Sequence, residues 1–390
     1  MALADRWLLP DGVKEVLAPD AYHIETLRRR VLDLYHHWGY DLVMPPLMEH
    51  LDSLLTGVGG DLDLNTFKLT DQLTGHTLGV RADITPQVAR IDAHRMDTAG
   101  ANRLSYCGSV LHTRSAEPLA SRNPMQIGAE LYGHAGIESE IEVISLMLET
   151  LSVVKANTEL SLDLGHVDIF RGLMQVAGLS AAQQDEYRDI LARKALPELD
   201  LFVAKIADEQ VRNWLAQLPR LTGGVEMLES ARQVLSGAPA SVSQAVLYLQ
   251  QLAEQLQGRY PQLDLYFDLS ELRGYNYHTG VVFAAYVPTH GQAIAKGGRY
   301  DDIGRDFGRA RAATGFSCDL KILSELSQEA VQADAVILAP AGDDATLLQA
   351  IRDLRMQGQR VVQALPGAAS EDGCSQQLLQ RDGQWVVAQR

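Results

Sequence analysis

The chain is short of cysteine, with Cys107, Cys318 and Cys374 the only three in 390 residues. They are widely separated and form no CxxC pair, which argues against a zinc site, and an odd count argues against a disulfide framework. Such usage suggests a reducing, cytoplasmic setting. Long apolar runs are also missing: none approaches the ~20 residues of a membrane span. The opening MALADRWLLPDG carries acidic residues and no long apolar stretch, so no signal peptide is expected. Positive charge is scarce, with 34 Lys and Arg against 50 Asp and Glu and a formal net charge of -16. A surface that negative repels a phosphate backbone unless basic residues cluster. The longest cluster, Arg28-Arg29-Arg30, reads as the solvated face of a helix. Neither nucleic acid nor a membrane is therefore expected as a partner. No GxGxxG follows a strand and no GxxxxGK[ST] occurs, so Rossmann and P-loop readings have no support.

What is present is a mixture of strands and helices in a chain long enough for two or three domains. Ile24, Leu27, Val31, Leu34, Tyr35 and Trp38 repeat at helical spacing, and Gly39 ends that helix. DLVMPP, residues 41–46, reads as a short strand stopped by proline. Residues 67–69 and 77–81 suggest a hairpin. Thr85 and Pro86 open a helix, with Thr85 as its expected N-cap. Strands are expected at 104–110, 125–132 and 161–164, with a helix at 138–154 between the last two. From about 168 to 257 strand signals fade, and the stretch reads as an inserted helical module with no assignable role. Strands return at 263–268, 281–286 and 293–295, and a helix is expected to start near Ser317. The tail, 333–390, shows one strand–helix–strand unit. The whole reads as α+β: mostly antiparallel strands flanked by helices, with a helical insertion and a small α/β tail.

Four stretches carry groups that could do chemistry. ELRGYNYHTGVVFAAY, residues 271–286, sets Arg273, Tyr275, Tyr277 and His278 in one loop before a strand. An arginine forks onto a carboxylate through paired hydrogen bonds; a capped turn with aromatic packing is the plainer alternative. KGGRYDDIG, residues 296–304, has two glycines that allow close backbone approach to a ligand or a strand. Asp83 and Thr85 precede a helix and alone suit a capping pair. Gln126 and Glu130 lie four apart on one strand and so share a face, with Gly128 leaving a gap between them. Buried, that face needs partners, and a cationic or amine-bearing ligand would supply one.

Together these stretches resemble the catalytic core of histidyl-tRNA synthetases, in the class II synthetase family. LRGYNYH and GGRYDD resemble that family's two histidine-specific motifs. GYDLVMPPLMEH resembles the first class-defining motif, with Pro46 as its proline at a dimer interface; RLSYCGSVLHTR resembles the second and GFSCDLKIL the third. The resemblance spans about residues 7–327, with 1–327 as the synthetase-like domain and 333–390 as a truncated α/β segment. It implies a class II antiparallel sheet flanked by helices. It also implies a histidine pocket of Asp83, Thr85, Gln126, Glu130, Arg273 and Tyr277. Asp83 stands where the family has glutamate, a carboxylate shortened by one methylene.

The nucleotide side departs from the family. His112 stands where an arginine clamps the α-phosphate, and Arg114 where a glutamate meets adenine. Ile322 replaces the third motif's closing arginine, and Asp319 replaces its small glycine with a charge that repels phosphate. Adenylyl chemistry needs fixed cations where charge develops, so these losses imply a large loss of rate. The tail is too short for an anticodon-binding domain. An amino acid pocket without an ATP pocket resembles the regulatory subunits of ATP phosphoribosyltransferase. That family's members pair with a short catalytic subunit and carry histidine feedback at the first step of histidine biosynthesis. The resemblance implies free L-histidine as effector and a homodimer within a hetero-octamer. It also implies no catalytic residue, no cofactor, no metal and no aminoacylation activity. The alternative is a divergent histidine-activating ligase.

Overall fold

The computed structural model describes residues 7–56, 60–96, 98, 100–115, 121–156, 159–272, 274–275, 277–305, 307–329, 335–367 and 373–390. The chain divides into two compact units, Met1–Glu329 and Ala330–Arg390.

The first unit begins with α1 (Asp20–His37), then β1 (Asp41–Leu42), β2 (Met48–His50), α2 (Leu51–Leu54) and α3 (Gly60–Asn65). Next come β3 (Phe67–Thr70), β4 (Thr77–Val80), α4 (Thr85–Arg95), β5 (Asn102–Ser109), β6 (Met125–Tyr132), α5 (Ile137–Val153) and β7 (Ser161–His166). The insertion holds α6 (Val167–Ala177), α7 (Ala181–Ala192), α8 (Leu196–Val203), α9 (Glu209–Gln217), β8 (Thr222–Gly223), α10 (Met227–Val234) and α11 (Ala240–Arg259). After it run β9 (Asp264–Asp268), β10 (Val281–Val287), β11 (His290–Arg299), β12 (Ala313–Asp319) and α12 (Leu320–Leu326).

Nine strands form the main sheet, in the order β1-β5-β6-β12-β11-β10-β7-β9-β8. Its pairs are antiparallel except β1 with β5 and β7 with β9. A small sheet, β2-β4-β3, stands beside it. Ile24, Leu27, Val31 and Tyr35 on α1 and Ile141, Ile144, Leu148 and Leu151 on α5 are buried in one core with the sheet. The insertion shares that core. Val242, Ala245, Val246, Leu249, Leu252, Ala253 and Leu256 repeat along α11 at helical spacing and are buried, and α11 packs on α6, α5 and β7. The insertion is therefore a wall of the synthetase-like unit, not a body of its own. Within it, Ser180 and Gln183 close a capping box on α7.

Two sequence expectations change here. The cap of α4 is Ile84 and not Thr85, which is the first helical residue. Its N–H is instead accepted by Asp83 Oδ1 at 3.0 Å. The helix expected near Ser317 starts three positions later. Residues 313–319 are the central strand β12, and Asp319 caps α12 by accepting from Lys321 N–H. Gly297 and Gly298 lie inside β11, paired with β12, where the close approach their lack of a side chain allows is to a strand.

The second unit has β13 (Val336–Ala339), α13 (Ala345–Met356), β14 (Arg360–Gln363), β15 (Gln376–Arg381) and β16 (Gln384–Gln389) in a sheet ordered β14-β13-β15-β16. Ile337, Ala339, Leu347, Ile351, Val361 and Leu378 form its own core. The hairpin β15–β16 was not expected from sequence. Asp382 and Gly383 both take positive φ, 49° and 78°, at its two-residue turn.

Candidate functional site

A cavity of about 1010 Å³ runs across the main sheet from β6 toward β9, walled on the other side by α7 of the insertion. Glu130 lies at one end, fully buried. It sits on β6 directly opposite Gly315 of β12. A Cβ at Gly315 would overlap the Glu130 carboxylate, so the carboxylate occupies space that only glycine leaves. Tyr106 Oη donates to Glu130 Oε1 at 2.9 Å, and Tyr300 Oη donates to Oε2. Tyr106 in turn shares a hydrogen bond with Thr85 Oγ1 at 3.2 Å. Burial pushes the Glu130 carboxyl up to about 8, against the two tyrosine hydrogen bonds that lower it, while nearby Asp83 raises it further.

The gap expected at Gly128 is filled. Tyr106 pairs with Gly128 across β5 and β6, and a Cβ there would lie 2.6 Å from the Tyr106 hydroxyl. Tyr106 and Tyr300 are thus partners of Glu130 that the sequence reading missed. Tyr300 was legible in GGRYDD but its link to Glu130 was not, because the two are 170 positions apart.

The expected pocket residues divide into three groups. Asp83, Thr85, Glu130 and Tyr277 line the cavity. Gln126 does not: its Nε2 donates to Asp83 Oδ1 at 2.7 Å and its Oε1 accepts Ile84 N–H at 2.9 Å. It holds the Asp83 loop rather than facing the cavity. Arg273 lies outside the described residues. Tyr277 stacks on Tyr300, with ring centroids 5.1 Å apart. Its hydroxyl is buried and has no hydrogen-bond partner among the described residues. An orphaned donor beside a cavity is a place for a ligand to bond.

Beside Glu130, whose proton folding retains, the described cavity lining is rich in carboxylates: Asp83, Asp163, Asp185, Asp189, Asp268 and Glu271, against the cations Arg188 and Lys296. Such a lining favours an amine-bearing ligand and opposes a polyphosphate. Among the described residues no group of His, Cys, Asp and Glu could hold a metal ion.

His112, Arg114, Asp319 and Ile322 do not line the cavity. The His112 ring Nε2 is 3.0 Å from the Ala82 carbonyl. Arg122 donates to the His112 carbonyl at 3.0 Å and the Asp11 carbonyl at 3.1 Å. Arg114 is exposed. Asp319 Oδ1 accepts from Met125 N–H and Lys321 N–H, each at 3.0 Å, and Lys321 Nζ donates to the Asn123 carbonyl at 2.6 Å. Ile322 packs against the main core.

Other polar side chains of this unit have structural roles. Arg299 donates to buried Glu140 at 2.5 Å and to Asp301 at 3.2 Å. His166 caps α6, and His134 bonds Ser139. Trp38 donates to Glu149.

The histidyl-tRNA synthetase family profile matches residues 12–323, and that of the ATP phosphoribosyltransferase subunit HisZ C-terminal domain matches residues 334–388. The chain is 55% identical over 393 residues to the ATP phosphoribosyltransferase regulatory subunit of Pseudomonas aeruginosa strain LESB58, covering 100% of this chain and 99% of that one. It is 56% identical over 392 residues to the protein of the same name from Azotobacter vinelandii, with 99% of each covered. A solved Bacillus halodurans structure, titled an ATP phosphoribosyltransferase regulatory subunit/histidyl-tRNA synthetase, superposes with a TM-score of 0.82 at 27% identity, covering 94% of this chain and 95% of that one. Histidyl-tRNA synthetase from Nostoc sp. PCC 7120 shares the fold, with a TM-score of 0.78 at 17% identity over 98% and 97% of the two chains.

Proposed function

The chain belongs to the ATP phosphoribosyltransferase regulatory subunits within the histidyl-tRNA synthetase family, and from that premise we propose that it binds free L-histidine in its cavity without activating it. The observation that carries this reading is the one-sided lining of the cavity. Asp83, Thr85, Glu130 and Tyr277 face it, whereas none of the four altered nucleotide positions does. Glu130 and the Tyr277 hydroxyl suit an imidazole, and Asp83 suits an α-amine. Arg273 belongs to the same reading through its motif alone, as the partner of the α-carboxylate. Gln126 enters as the support of Asp83.

The partner in this reading is a short catalytic subunit, to which histidine occupancy is passed as a shift in population between two states of the assembly. The chain itself performs no aminoacylation. A homodimer within a hetero-octamer, in the cytoplasm, completes the proposal. Support for the dimer comes from the first motif. Leu42, Met44, Leu47 and Met48 are all exposed apolar residues along β1, β2 and the turn between them, and β1 is an edge strand of the main sheet.

The deciding experiment is condensation of ATP with phosphoribosyl pyrophosphate by the short catalytic subunit, with and without this chain and with histidine titrated in. Stimulation that histidine reverses is the expected result. No stimulation at saturating chain overturns the reading. Histidine-dependent ATP–pyrophosphate exchange by the chain alone would establish the ligase instead. Met44→Asp should shift the chain to monomer in sedimentation, and an unchanged mass would remove the first motif from the dimer interface.

A further inference from the structure

The insertion between β7 and β9 is not only a wall. Arg171 on α6 reaches into the loop that carries Tyr277. Its Nη2 donates to the Tyr275 carbonyl at 3.0 Å and to the His278 carbonyl at 2.8 Å. These two carbonyls bracket Tyr277. The same guanidinium lies over the Tyr275 ring, 5.1 Å from its centroid, and Phe170, also on α6, meets that ring edge-on at 5.0 Å. Arg188 on α7 lies over the Tyr275 ring at 5.5 Å. The insertion thus grips the loop by two backbone acceptors and one aromatic ring. A planar guanidinium suits this task, because it donates in fixed directions while its face stacks.

From the loop the contacts continue inward. Tyr277 stacks on Tyr300, and Tyr300 bonds Glu130. On the outside, Asp185, Arg188, Asp189 and Ala192 of α7 line the same cavity. One contiguous set of contacts therefore joins α6 and α7 to the buried carboxylate. Arg171 does not itself line the cavity, so any effect it has on a ligand passes through the loop.

We propose that Arg171 is a positioning residue through which the helical insertion sets the ligand affinity of the cavity. Resting on the histidine reading above, this gives the insertion a regulatory role. A rearrangement of α6 or α7 moves the carbonyls on both sides of Tyr277 and changes how tightly histidine is held. By linkage, histidine must act back on α6 and α7 to the same extent.

The test uses the full chain and three variants: Arg171→Ala, Arg171→Lys and, as a control in an exposed helical pair, Arg232→Ala. Histidine affinity is measured by calorimetry, and amide hydrogen exchange is followed with and without histidine. In the wild type, histidine should slow exchange in residues 271–279 and along α6 and α7. Arg171→Ala should bind about tenfold more weakly and lose the protection of α6 and α7, while keeping its cooperative melt. Arg171→Lys should fall between, and serves if the alanine variant does not fold. Arg232→Ala should match the wild type. Unchanged affinity in both Arg171 variants would overturn the proposal, as would weaker binding with protection of α6 and α7 intact. A wild type that binds no histidine sinks the reading of the cavity. The ligand-free exchange then decides the coupling alone: Arg171→Ala must speed exchange at 271–279, and an unaltered rate there rejects the role of Arg171 whatever the ligand.

Discussion

The end of this frame proposed to hold the amino acid and the end with the altered nucleotide positions are built from the same kinds of group, and they differ in where those groups point. Glu130, Thr85 and Asp83 keep a face on the cavity, and Tyr277 brings a hydroxyl with no partner among the described residues. At the other end the polar groups are turned onto the protein's own backbone. The His112 ring meets the Ala82 carbonyl, Arg122 meets two carbonyls, Asp319 caps α12, and Lys321 meets Asn123. A charge satisfied by fixed internal partners is costly to redirect toward a ligand. The difference teaches that groups of one kind are left open to a cavity or closed onto the backbone by where the fold points them. Of the four altered positions, His112 and Asp319 have backbone partners and Ile322 packs on the core, whereas Arg114 is exposed.

If the amino acid end is the live one, Glu130→Ala should have the largest effect. Removing the buried acceptor leaves Tyr106 and Tyr300 without their partner and should weaken histidine binding by about 100-fold or more, on the order of 3 kcal/mol. Calorimetry checks it, and undiminished binding would erase the distinction between the ends.

Next in size is a pH effect. Folding holds the Glu130 proton up to about pH 8, whereas in the unfolded chain that carboxyl titrates near 4.5. Between those values the folded state keeps a proton that the unfolded state releases. Its contribution therefore lowers stability as pH rises through that window and is level outside it. Glu130→Gln keeps a neutral group and should remove the slope, on the order of 1 kcal/mol per pH unit, read as denaturant midpoints at a series of pH values. Equal slopes in both proteins would show that Glu130 is ionised in the empty cavity.

Smaller still, Tyr277→Phe should weaken histidine binding about tenfold while raising the melting temperature of the ligand-free chain, because it deletes an unsatisfied buried hydroxyl. Opposite signs for the two effects mark a binding group, and a fall in both would mark a packing group. The smallest change belongs to the nucleotide end. Asp319→Ala removes a helix cap and should cost about 1 kcal/mol of stability with histidine affinity unaltered. A change in affinity would mean that the two ends are not separate.

Much of this was legible in the sequence. Strand β6 was read with its bounds and its facing pair, because alternation over eight residues is a strong signal. The insertion was read as helical from its spacing. What escaped depends on distant pairing. Gln126 shares the face of Glu130 but is drawn to Asp83, 43 positions away, which no local pattern shows. A helix is expected near Ser317, and it begins at Leu320. In the folded chain Asp319 is its cap, and the preceding residues complete a central strand. The hairpin of the second unit is written in Asp382-Gly383 between apolar alternations, a two-residue turn signal fainter than the neighbouring strand–helix–strand unit.

Gly315 has a consequence for how this gene can vary. Every substitution there adds a Cβ into the space of the Glu130 carboxylate, so even alanine obliges that carboxylate to move. Inheritance can alter Asp83 or Tyr277 by degrees, one methylene or one hydroxyl at a time. Position 315 can change only if the Glu130 carboxylate moves with it, and a saturation library should return it sparsely filled.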